Sequence, residues 1–109
     1  MTPEERLALL QLKARERPGD PFVRYGLAMG YRSLGRDEEA VAVFDELMRR
    51  RPDYVPTYLM LGQLLVSLGR APAAARVLAA GMEMAAKMGD AHAHAELSRA
   101  LEECGAQDG

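Results

Sequence analysis

His92, His94 and Cys104 are the side chains whose types hint at metal or nucleophilic chemistry, and their spacing decides what they can do. Two histidines share a metal on a helix when they stand one turn apart, at i and i+4. His92 and His94 are two apart and project about 200° away from each other. No Asp or Glu is placed to complete a triad with His94, so an enzymatic reading has neither pocket nor constellation. Each glycine that follows a helix is accounted for by a turn, which leaves no Gly-rich loop for a phosphate. The expectation is therefore no catalytic, cofactor-binding or metal site.

The elements that carry these residues follow from an internal copy. Ser33-Leu34-Gly35-Arg36 returns as Ser67-Leu68-Gly69-Arg70, 34 residues later. At the same offset Leu27 falls on Leu61, Tyr31 on Leu65, Ala40 on Ala74 and Pro18 on Pro52. Cys104 takes the place of Leu34 and Leu68, that of a small apolar filler. A fixed period of this length marks stacked helical hairpins. Leu27, Ala28, Tyr31, Gly35, Ala40, Phe44 and Pro52 run in the order Leu, small, Tyr, turn Gly, Ala, aromatic, closing Pro, and in that pattern the chain resembles the tetratricopeptide repeat family. The resemblance covers nearly the whole chain. It implies an all-α, right-handed helical-hairpin solenoid of about six antiparallel helices, and a role in binding other proteins.

Taken in order, Thr2-Pro3-Glu4-Glu5 forms a capping box with proline at the first helical position, and a helix is expected over about 3–17. Leu7, Leu10 and Ala14 share its stripe, with Leu9 and Leu12 beside it. On the repeat frame this is a second helix whose first half is absent, an N-terminal cap over 1–19. Repeat 1 spans 20–52, with helices at about 21–34 and 37–51 reversed at Gly35. Asp37-Glu38-Glu39 and Arg49-Arg50-Arg51 place opposite charges at the ends of its second helix, where each opposes the macrodipole; a small basic patch for an acidic partner is the lesser reading of the arginines.

Repeat 2 spans 53–89, with Asp53 as the expected N-cap and helices at about 54–68 and 71–88. Its closing proline is replaced by Ala86, so its second helix runs longer. After that extension Leu97, Ser98, Leu101 and Gly105 match Leu27, Ala28, Tyr31 and Gly35. They define a C-terminal capping helix at about 91–104 within 90–105, its flank charged by Glu96, Arg99, Glu102 and Glu103, and the tail 106–109 is expected to fray. The whole of 1–109 reads as one domain.

Bulk composition narrows the partners. A net charge of −2 argues against a dedicated nucleic-acid binder, and no polybasic patch suggests a membrane surface. One cysteine makes no internal disulfide, and no signal-like or bilayer-spanning apolar run is present, so a cytoplasmic protein is expected.

A second apolar stripe points to binding. Phe22, Tyr25 and Met29 recur off the core face of the first helix of repeat 1, and the matching face of repeat 2 carries Leu59, Gln63 and Val66. In the family those positions line a concave groove, so the resemblance implies that an apolar or amphipathic peptide or helix of another protein is held there, with Arg99 as a cation at the far end. The family's subclass that grips a C-terminal carboxylate uses Lys, Asn and Arg where this chain has Tyr25, Met29, Leu59 and Gln63, which makes a chaperone-tail clamp a poor fit. The alternative is a homodimer formed through the groove or through the Gly26/Gly30 edge, where small residues admit a close helix.

Overall fold

Prolines set the first turn of four helices in the computed structural model, which describes residues 1–108. Helix α1 spans Pro3–Glu16, α2 Pro21–Ser33, α3 Asp37–Arg50, α4 Pro56–Ser67, α5 Ala71–Lys87 and α6 Ala91–Asp108, with no strand among the described residues. This is an all-α helical repeat, as the 34-residue period requires.

The caps explain the boundaries. Thr2 Oγ1 accepts from the Glu5 N–H at 3.1 Å while Glu5 Oε1 accepts from the Thr2 N–H at 3.0 Å. The bond from the Thr2 backbone first, and from its side chain second, holds the Glu5 carboxyl below its ordinary pKa. Asp20 caps α2 by accepting from the Phe22 N–H, and Asp90 caps α6 by accepting from the Ala93 N–H, each at 3.0 Å. Helix α3 lacks a side-chain cap, and its acidic first turn faces Arg36, which bonds Glu39 at 2.7 Å and lies 5.0 Å over the Tyr31 ring. Gly35, Gly69 and Gly89 take φ of +72°, +76° and +71° at the ends of α2, α4 and α5, the left-handed turn that side chains resist.

Two boundaries differ from expectation. Asp53 does not cap α4: the helix begins at Pro56 with Val55 before it, because proline's fixed φ suits the first helical position and the preceding residues form a turn instead. Helix α6 continues to Asp108, through part of the segment expected to fray; Gly105 does not adopt the positive φ that ends α2, α4 and α5. Gly109 lies outside the described residues.

The helices group into two compact units, one of Met1–Arg51 and one beginning at Pro52. In the first unit α2 packs on both α1 and α3. Leu7, Ala14, Val23 and Leu27 form a buried cluster, and Ala40, Phe44 and Leu47 are buried on α3. Leu9 and Leu12 are 38% and 44% exposed, so α1 buries only the narrow stripe. In the second unit α5 packs on α4 and α6, and α4 also meets α6, with Leu61, Leu64, Leu78 and Leu97 fully buried.

Thr57 stands out among buried residues, since its side chain is inaccessible and its Oγ1 has no hydrogen-bond partner. One period earlier the same place holds Val23, a residue of matching shape without the hydroxyl. Thr57→Val is expected to stabilise the protein by about 1 kcal/mol, the cost of a desolvated, unpaired hydroxyl. A raised urea midpoint at unchanged m would bear this out; an equal or lower midpoint would show that the hydroxyl finds a partner.

Candidate functional site

Burial of Leu27 and Ala28 fixes the rotation of α2 and leaves its other flank to Phe22, Tyr25 and Met29. These three sit in unequal environments. Phe22 is 72% exposed, and Met29 is half-buried. Tyr25 is also half-buried, and its ring meets Phe44 edge-on, with centroids 5.9 Å apart at 66°. Tyr25 thus belongs partly to the core of the first unit.

The Gly26/Gly30 edge is filled by the same chain. A Cβ at Gly26 would lie 3.3 Å from Leu10 Cδ2, and one at Gly30 would lie 3.1 Å from Leu10 Cδ1. The two glycines let α1 approach α2, a contact completed by Gln11 Nε2 donating to the Tyr31 hydroxyl at 3.1 Å. Association through that edge would have to displace α1.

In the second unit, burial of Leu61, Gly62, Leu64 and Leu65 turns α4 so that Leu59 and Val66 are half-buried and Gln63 is exposed. Gln63 and Val66 share a cavity of about 90 Å³ with Ala100, Glu103 and Cys104 of α6, and Leu78 closes it. Arg99 is exposed and does not line this cavity; the ionisable group that α6 brings there is Glu103. Ala100, Glu103 and Cys104 recur at helical spacing one position past Arg99, and that spacing was the available signal for the residues that meet Gln63 and Val66.

Cys104 is 2% exposed and its thiol donates to the Ala71 carbonyl at 3.4 Å, so it fills space beneath α5. His92 is exposed and pairs through Nε2 with Glu96 Oε1 at 3.1 Å, one turn away. His94 is half-buried beside Ala85, Gly89 and Asp90. Among the described residues no three His, Cys, Asp or Glu side chains come together as metal ligands, and no helix is long and apolar enough to cross a membrane.

The tetratricopeptide repeat profile matches residues 33–100, which contain the complete second hairpin and both flanks of the copied Ser-Leu-Gly-Arg segment. The chain belongs to the tetratricopeptide repeat family. The solution structure of a tetratricopeptide repeat domain protein from Salinibacter ruber is similar, with TM-score 0.76 and 38% identity over 80% of this chain and 88% of that one. A crystal structure of the tetratricopeptide repeat domain protein from the same organism gives TM-score 0.74 and 38% identity over 78% of this chain and 96% of that one. MamA from Desulfovibrio magneticus RS-1 gives TM-score 0.71 and 32% identity; the match covers 92% of this chain but only 55% of MamA. A search of the curated proteins found no match. Repeats of this family serve as modules that bind other proteins.

Proposed function

We propose that the chain is a non-catalytic interaction module in which a first-helix face, that of α2 in the first unit or that of α4 in the second, holds an apolar or amphipathic segment of another protein as an extended peptide or a helix. The observation that supports this most is Phe22, a large aromatic side chain left 72% exposed on α2. Its apolar surface stabilises a complex by about 25 cal/mol per Å² that a partner covers. Met29 beside it adapts to varied side chains. Tyr25 gives a rigid ring edge braced by Phe44. In the second unit Leu59, Gln63 and Val66 offer a matching face with a side-chain-sized cavity. Arg99 on α6 is an exposed cation for an acidic or C-terminal group. The module acts in the cytoplasm without cofactor, metal, nucleic acid or membrane.

The test begins with random peptides displayed on phage and selected on the intact protein. The best peptide is then titrated by calorimetry against wild type and Phe22→Ala. Affinity is expected to fall at least about tenfold, or about 1.4 kcal/mol, at an unchanged melting temperature, since an exposed ring contributes to binding and little to folding. Equal affinities would sink the assignment. Light scattering at twice the chain mass would instead assign the same faces to a second copy.

A further inference from the structure

One position of the repeat changes its chemistry in the last copy. Gly35, Gly69 and Gly105 share a frame position, so Ser33, Ser67 and Glu103, each two residues earlier, share another. Both serines turn back on their own helix. Ser33 Oγ donates to the Met29 carbonyl at 3.0 Å, and Ser67 Oγ donates to the Leu64 carbonyl at 2.6 Å. A carboxylate has no proton to donate in that way, and among the described residues no cation lies within ion-pair distance of Glu103. Arg99, one turn earlier on α6, is exposed and points its charge elsewhere than the cavity that Glu103 borders. Solvation of the open flank explains Glu102, which does not line that cavity either.

The cavity of about 90 Å³ lies wholly within the second unit, among α4, α5 and α6. Its floor is apolar. Leu78 and Cys104 are 1% and 2% exposed, Val66 and Ala100 are half-buried beside them, and the Cys104 thiol proton is taken by the Ala71 carbonyl. The exposed side chains of Gln63 and Glu103 stand at its mouth. An apolar cavity of about 150 Å³ takes up a benzene ring, so this smaller one suits an unbranched chain and not an aromatic anchor. The mouth selects what ends that chain: a carboxylate and a carboxamide oxygen both accept, and the carboxylate carries the charge. From Pro52 onward acidic residues outnumber Arg70, Arg76, Lys87 and Arg99, so the field of the unit favours a cation as well.

We propose that this cavity holds a lysine side chain of the partner protein, its stem against Leu78, Val66 and Ala100 and its ammonium between the Glu103 carboxylate and the Gln63 carboxamide oxygen. The inference rests on the first-helix face of α4 as a binding face and names the residue that anchors there.

The probe is Nα-acetyl-lysine methylamide, titrated into the isotope-labelled intact chain beside its norleucine counterpart, which keeps an unbranched stem and lacks the charge. Heteronuclear NMR reads the Gln63 side-chain amide and the backbone amides of Val66 and Ala100. Lysine is expected to shift these signals saturably and to bind about threefold more tightly than norleucine, the range of an ion pair at an exposed rim. Raising salt from about 50 mM to about 300 mM should narrow that difference. Glu103→Gln alters an exposed side chain and removes only its charge; lysine is expected to fall to the norleucine level while norleucine keeps its wild-type affinity. An unchanged lysine preference in Glu103→Gln, lysine shifts spread over the acidic surface instead of gathered at the cavity, or no shift with either probe would each overturn the proposal. Norleucine binding as tightly as lysine to wild type would overturn it too, and would leave α4 as an apolar face. The Phe22→Ala titration reads α2 in the first unit, so its outcome is separate from all of these.

Discussion

Gly81→Ala is expected to lower the stability of the fold by about 3 kcal/mol, although alanine favours a helix by up to about 1 kcal/mol over glycine. A Cβ at this place in α5 would lie 2.5 Å from Tyr58 Cβ, 2.8 Å from its Cγ and 3.1 Å from Leu97 Cδ2. The Leu97 methyl can turn aside. Tyr58 Cβ moves only with the backbone of α4, and its ring is tied down by the hydroxyl's bond to the Pro52 carbonyl. The strain is relieved only if α5 withdraws from α4, which loosens the approach of Leu78 to Gly62 in the same core. Gly105→Ala is the internal control: it lies inside α6 with nothing within 4 Å of an added Cβ, so the helix preference acts alone there. Urea denaturation of both variants checks the contrast. Equal midpoints for Gly81→Ala and wild type would mean that this contact does not set the spacing of α4 and α5.

A 34-residue period carries helix order, turn glycines and core leucines from one hairpin to the next. The six helices, the buried Leu27, Ala28, Leu61 and Ala74, and the fate of Cys104 all followed from that register. What the register does not carry is which side chains share a cavity: Ala100, Glu103 and Cys104 of α6, and not Arg99, line the one that Gln63 and Val66 also line. Gly26 and Gly30 illustrate a second limit. A missing Cβ admits a close neighbour but does not say whose, and here it is Leu10 of the same chain. Arg24 illustrates a third: it is aligned with Tyr58, and only their shared bond to a proline carbonyl shows which part of its chemistry the fold uses.

Phe44→Ala is expected to have the largest effect, about 4 kcal/mol of lost stability, because it removes a fully buried ring and leaves a cavity that α2 and α3 close only in part. Phe44→Leu should cost only about 1–2 kcal/mol, since it keeps most of the volume and is the solution found one period later at Leu78. Both variants remove the edge-on partner of Tyr25, an interaction that contributes about 0.5–1.5 kcal/mol beyond its area. The leucine variant therefore separates two roles of one ring. If Tyr25 contributes to ligand binding because Phe44 holds it at a fixed angle, Phe44→Leu remains folded at room temperature yet binds the selected peptide more weakly than wild type. Phe22→Ala, by contrast, is expected to weaken binding with an unchanged melting temperature. Thermal melts paired with calorimetric titrations distinguish the cases. A leucine variant that loses stability and keeps full affinity would place Tyr25 in the core alone, and leave Phe22 and Met29 as the apolar face of the first unit.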